Sequence, residues 1–138
     1  MPIDTSLEFV PINIAVITIS DSRTKENDTS GDTLEKRIID AGHQMIKRTI
    51  IPDDVSKIKD TLNAMSKEKD IDCIITTGGT GLTGRDTTPE AVKEIANKHI
   101  DGFGELFRQV SFEKIGTSAI QSRAVAALIN STYVFCLP

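Results

Sequence analysis

No stretch of the chain approaches the ~20 consecutive apolar residues that a membrane-spanning helix requires. Its opening, MPIDTSLEF, carries acids where a secretory leader would place a basic region ahead of an apolar one. A cytoplasmic protein with no membrane partner is therefore expected. Cysteine and histidine are scarce, with two of each in 138 residues. Cys73 and Cys136 fall inside apolar, strand-like segments without Cys-x-x-Cys spacing, so they read as small buried hydrophobes rather than metal or disulfide partners. His43 and His99 lie near segment ends with no second His or Cys at ligand spacing, which suits surface or capping positions. Positive charge is in deficit too. Sixteen Lys and Arg against twenty Asp and Glu leave a net charge of -4 and a pI near 5.1. The basic residues are scattered, and a nucleic-acid surface needs them clustered.

What is present fits one ordinary domain, residues 1–138, with 38% hydrophobic and 26% charged residues. A chain of this size buries roughly two-thirds of the surface it exposes unfolded, enough for a real core. INIAVITIS, Ile12 to Ser20, is a nearly continuous β-branched run, as in a parallel strand buried on both faces. Ser30 offers a helix N-cap, Leu34, Ile38 and Ala41 recur at helical spacing, and Gly42 ends the helix. Gln44 to Ile51 reads as a more exposed strand. Asp54 can cap a second helix whose stripe is Val55, Ile58, Leu62 and Met65. Cys73 to Thr76 makes a third strand, and Thr88 with Pro89 starts a third helix. Two further helices are expected, Gly104 to Ile115 and Ser118 to Ile129, before a final strand in STYVFCLP. The alternation predicts a three-layer α/β/α fold with a mostly parallel central sheet. Because such domains usually cover the last strand with another helix, the domain is expected to lack a C-terminal turn and helix.

The stretch CIITTGGTGLTGRDTTPE, Cys73 to Glu90, carries the chemistry. Gly78, Gly79, Gly81 and Gly84 crowd seven residues between a strand and a helix. Ligands of open α/β sheets bind beyond the carboxyl ends of the strands. Bare glycine backbone lets an anion approach main-chain N–H groups there, and Thr76, Thr77 and Thr80 add hydroxyls. A tight turn with no ligand is the plainer alternative. Gly79 to Gly84 spells G-x-G-x-x-G, but on the third strand and without a helix opening directly after it. As a Walker A loop the same six residues are followed by Arg85 and Asp86 where Lys and Ser or Thr belong. A lone carboxylate at Asp86 would repel an anion unless a divalent cation stood between them. Asp53, directly after a strand in IIPDD, is a second acid for such a cation or else a helix-cap residue like Asp54. Asp21, after the first strand, is a third contributor on the same terms.

TTGGTGLTGRDTTPEAV resembles the signature of the molybdopterin adenylyltransferase family, the MogA/MoaB proteins of molybdenum cofactor biosynthesis. IAVITISDSR, DTSGDTLEKRIIDAGH, the IPDD turn, GFGELFRQVSFEKIGTSAIQSRAVA and the closing VFCLP agree with it, the longest of them most like the bacterial MoaB branch. The resemblance implies a molybdopterin-binding α/β domain, assembly as a homotrimer or homohexamer, and contact with other enzymes of the pathway. It implies adenylylation of molybdopterin by ATP with Mg²⁺, releasing pyrophosphate. It also puts the two catalytic, magnesium-holding acids on Asp53 and Asp86, the phosphate-binding loop on Thr77, Gly78, Gly79, Thr80 and Gly81, and the serine of an SR motif on Ser122. A non-catalytic molybdopterin-binding or pathway-assembly protein is the alternative.

Overall fold

The β-branched run forms the centre of the sheet. In the computed structural model, which describes residues 2–138, strand β1 (Asn13–Ile19) is buried over six of its seven residues. Parallel neighbours flank it, β2 (Gln44–Ile51) on one side and β3 (Cys73–Thr77) on the other. Beyond β3 the order continues through β6 (Thr132–Leu137), β5 (Val125–Ile129) and β4 (Lys98–His99). Three neighbouring pairs are parallel and two, β5 with β6 and β4 with β5, are antiparallel.

Helices cover both faces, completing the three layers. On one, Ile58, Leu62 and Met65 of α2 (Val55–Met65) and Ala91 and Val92 of α3 (Thr88–Ile95) pack on the strands. On the other, Ile38 and Leu34 of α1 (Thr29–Asp40) cover Ile14, Val16 and Cys73. Phe103 of α4 (Asp101–Ile115) meets Phe135 edge to face, with ring centroids 5.1 Å apart. Cys73 and Cys136 are buried free thiols, and burial pushes them up to about 12 and about 11 respectively. His43 Nδ1 accepts the Ile12 N–H at 3.2 Å, while His99 lies exposed on β4. No helix among the described residues is long and apolar enough to cross a membrane.

The C-terminal third departs from expectation. The helix expected over Ser118 to Ile129 is instead a 3₁₀ turn, Gly116–Gln121, followed by strand β5. Ile129 pairs with Thr132, so the hairpin loop is Asn130 and Ser131 alone, at φ 48 and 73. Both central residues at positive φ is the two-residue turn whose twist matches antiparallel strands, and Asn is the residue that reaches it most readily after glycine. That turn overrides the helix-forming alanines of VAALI. The fourth helix begins at Asp101 rather than Gly104. α1 is capped by Asp28 rather than Ser30, and Thr87, not Thr88, stands at the N-cap of α3, where its side chain makes no capping bond to the helix.

Asp28 does more than cap. Its carboxylate is 1% exposed and accepts from Gly31 N–H (3.0 Å), Thr18 Oγ1 (2.7 Å) and Arg48 (3.1 Å). Arg48 also pairs with Asp32 and Glu35, each at 2.8 Å. Burial alone would push the Asp28 carboxyl up, but the bonds from Thr18, Gly31 and Arg48 outweigh it and hold it below the usual carboxylate range. A depressed folded-state pKa stabilises the fold above the unfolded value, near about pH 4, and that contribution is lost as pH falls through the folded value. Urea midpoints should therefore fall as wild type is acidified below about pH 4, and Asp28→Asn should flatten this dependence while costing about 3 kcal/mol at pH 7.

Candidate active site

Parallel register decides what meets at the sheet edge. Ile19 pairs with Ile51 and Thr18 with Thr77, so β1, β2 and β3 finish side by side and their following loops converge. Asp21, Asp53 and the glycine loop lie on those three loops. The Asp53 N–H donates to Asp21 Oδ1 at 3.0 Å, tying the first two together. Asp53 Oδ1 accepts from Thr87 Oγ1 (2.8 Å) and Thr87 N–H (3.3 Å), which ties in the third.

The loop leaves β3 through Gly78 and Gly79, at φ 97 and 70. These are left-handed conformations that L side chains rarely adopt. Contacts forbid a side chain as well. A Cβ on Gly78 would run into the Ile19 carbonyl, and one on Gly79 into Thr88 Oγ1, with Asp53 Oδ2 only 3.2 Å away. The turn is locked from behind. Gly78 N–H donates to Leu137 O at 3.1 Å, Thr88 Oγ1 donates to Gly78 O at 3.1 Å, and Thr88 N–H donates to Gly79 O at 3.0 Å. Among the described residues the amides of Gly79 and Thr80 have no acceptor, whereas the Gly78 amide is committed to Leu137 and the Thr77 hydroxyl donates to Pro138 O at 3.0 Å. Thr80 is buried, and Thr76 Oγ1, the third hydroxyl of this run, is buried with no hydrogen-bond partner.

Asp86 closes the loop. Its Oδ2 accepts from Thr83 N–H (2.9 Å) and Thr83 Oγ1 (2.6 Å), and it lies against the bare Cα of Gly81, where a Cβ would sit 2.7 Å away. The Thr83 hydroxyl first, then the Thr83 and Gly81 amides and the charge of Arg123, hold its carboxyl below the ordinary range. Asp21 is lowered in the same direction, first by Arg85 and then by the Asp53 amide. Arg85 pairs with Asp21 while its side chain is 75% exposed. Exposed pairs of this kind contribute little to stability.

Asp53 and Asp86 thus flank the same bare backbone, at Gly79 and Gly81. Carboxylate oxygens are the hard donors a magnesium ion takes, and Asp53 Oδ2 accepts no hydrogen bond among the described residues. Two acids are fewer than a full shell, and no group of three or more His, Cys, Asp or Glu positioned for a metal occurs among the described residues. Magnesium typically keeps waters and substrate phosphate oxygens, so the pair fits an ion that arrives with a nucleotide better than a resident one.

Ser122 stands apart from the loop. Its Oγ accepts the Ala124 N–H at 3.4 Å, and it lines a separate cavity of about 530 Å³ with Gly104, Arg108 and His99. Its neighbour Arg123 is the residue that reaches the loop, bonding Gly81 O, Asp86 O and Glu90. Sequence reasoning passed over Arg123 because nothing in local spacing places residue 123 beside residue 81.

A glycine turn off the third strand of a mixed six-stranded sheet, flanked by two carboxylates, defines the class as an α/β domain with its candidate site at the carboxyl ends of the strands. Comparison with known proteins assigns the family. The family model for the "Probable molybdopterin binding domain" matches residues 15–138. Molybdenum cofactor biosynthesis protein B of Escherichia coli K12 is 42% identical over 133 residues, 96% of this chain and 78% of that protein. A "Probable molybdopterin adenylyltransferase" of Methanocaldococcus jannaschii is 40% identical over 134 residues, 92% of this chain and 79% of that one. A crystal structure of molybdenum cofactor biosynthesis protein B superposes with a TM-score of 0.90 at 42% identity, covering 94% and 81% of the two chains. The tungsten cofactor synthesizing protein MoaB of Pyrococcus furiosus superposes at 0.79 with 33% identity, over 93% and 82%. The chain belongs to the molybdopterin-binding domain family that contains the MoaB and MogA proteins.

Two glycines separate backbone need from spare flexibility. Gly79→Ala should cost at least about 1–3 kcal/mol in urea unfolding, because φ and space both oppose it. At Gly84 an added methyl would meet no neighbour within 4 Å, and φ lies outside the left-handed region, so Gly84→Ala should stay within about 0.5 kcal/mol of wild type.

Proposed function

We propose that the protein acts in molybdenum cofactor biosynthesis by transferring AMP from ATP to the terminal phosphate of molybdopterin. The observation that carries this reading is the pair Asp53 and Asp86 set against the bare backbone of Gly79 and Gly81. The names of its relatives, one of them a probable molybdopterin adenylyltransferase, support it. In this reaction a phosphate oxygen of molybdopterin attacks the α-phosphorus of ATP, and the bond from that phosphorus to the β-phosphate oxygen breaks, releasing pyrophosphate. The attacking oxygen is already ionised at neutral pH, so it needs no general base. Asp53 and Asp86 would hold magnesium, which supplies charge neutralisation between the two phosphate groups.

The chain's own work is then positional. The free amides of Gly79 and Thr80 would bind phosphate oxygens and hold the reacting phosphorus in line with its attacker. Asp21, through the Asp53 amide, and Thr87, through the Asp53 carboxylate, fix the direction of that acid. Ser122 would contact substrate from the neighbouring cavity. With molybdopterin, ATP and Mg²⁺, wild type should release pyrophosphate, and Asp86→Asn should slow release by about two orders of magnitude or more while leaving the unfolding midpoint nearly unchanged. Tight molybdopterin binding by wild type with no pyrophosphate would replace the transferase with a carrier.

We further propose assembly as a homotrimer or homohexamer. Supporting it, α4 leaves Leu106 and Val110, one helical turn apart on the same face, 61% and 49% exposed, and adjoining bare apolar side chains favour an association surface. Light scattering should give a mass three or six times 15.0 kDa, and Leu106→Glu should shift it toward the monomer.

A further inference from the structure

One guanidinium spans the base of the glycine loop. Arg123 Nε donates to Gly81 O at 2.7 Å, one terminal nitrogen donates to Asp86 O at 2.8 Å, and the other pairs with Glu90 in the first turn of α3. Its own N–H donates to Thr80 O at 3.3 Å. Gly81 and Asp86 bracket residues 82–85, so these bonds grip both feet of the loop tip from outside. From inside, Asp86 Oδ2 gathers the Thr83 amide and hydroxyl. The Arg123 side chain is 29% exposed, so its bonds are partly shielded from water and correspondingly stronger. Charge-assisted bonds of this kind are roughly twice as strong as neutral ones.

We propose that Arg123 is a positioning residue that staples the glycine loop and thereby aims the Asp86 carboxylate. It contacts no reacting atom and acts through the loop backbone. A carbonyl oxygen engaged by the guanidinium is withheld from a phosphate it would repel, while the Gly79 and Thr80 amides have no acceptor among the described residues. Three separate nitrogens in a rigid plane are needed to satisfy Gly81 O, Asp86 O and Glu90 together. Lysine, with its donors on a single nitrogen, cannot span them. Only the kinetic consequence rests on the AMP-transfer reading.

The test compares wild type, Arg123→Lys and Arg123→Ala by amide hydrogen exchange and by pyrophosphate release. Both variants should exchange the hydrogen-bonded loop amides of Thr83, Asp86 and Thr87 about tenfold faster or more, with β1 and β3 amides unchanged. Methylguanidinium added to Arg123→Ala should restore part of the loop protection, which a generic stabiliser would not show. The turnover rate should fall about tenfold or more. Unchanged loop exchange, full protection by lysine, or protection lost equally across β1 and β3 would each overturn the proposal. If wild type releases no pyrophosphate, the AMP-transfer reading fails by itself, and exchange with methylguanidinium rescue still decides the role of Arg123.

Discussion

The turn at Gly78 and Gly79 is the constraint on which the site depends. β3 has to leave the sheet where the Ile19 carbonyl blocks one Cβ position and Thr88 blocks the next, so the backbone takes two left-handed residues in succession. Bonds from Thr88 to the Gly78 and Gly79 carbonyls, and from Gly78 to Leu137, hold it there. Once that turn is made, the rest of the loop follows. Gly79 comes against Asp53, Thr87 reaches the Asp53 carboxylate, and α3 starts with Thr88 buried beneath the loop it supports. The start of the helix and the geometry of the site are one packing problem.

Electrostatics adds a second layer. Three carboxylates, Asp21, Asp53 and Asp86, gather at one sheet edge, and two arginines there are already paired: Arg85 with Asp21, Arg123 with Glu90 and two carbonyls. Hydroxyls, amides and these arginines hold Asp21 and Asp86 in the ionised form. Arg23 is not in a salt bridge among the described residues; it donates to the Asn27 carbonyl and lines a small cavity with Ser20, Thr77 and Gly78. In the proposed transfer, a divalent cation carried in with the phosphates would offset the charge of the three carboxylates. The second acidic cluster, Asp28 with Asp32 and Glu35, is handled differently. There Arg48 is itself part of the fold, and the charges serve packing of α1 against β1 and β2.

Much of this was legible in one dimension because its signals are local. β-branched runs marked β1 and β3, helical stripes marked α1 and α2, and the crowding of glycines marked the loop. Asp53 and Asp86 could be singled out because each follows a strand or a glycine run directly. Where two local signals competed, reading failed. The alanines of VAALI argued for helix, while Asn130 and Ser131 carried a hairpin signal weaker than Asn-Gly. The two-residue strand β4, too short for any periodicity, was not visible at all.

The sequence by itself determined which backbone could turn and which side chains could be acidic, since glycine spacing and residue type are properties of neighbours along the chain. Only the tertiary structure decided which acids meet. Parallel register brings Asp21 and Asp53 to one edge, and the return of the chain through β5 sets Arg123 against a loop some forty residues earlier, where its bonds rather than those of Ser122 secure Gly81 and Asp86. Contacts between residues that far apart depend on strand order and register, which no window of sequence contains.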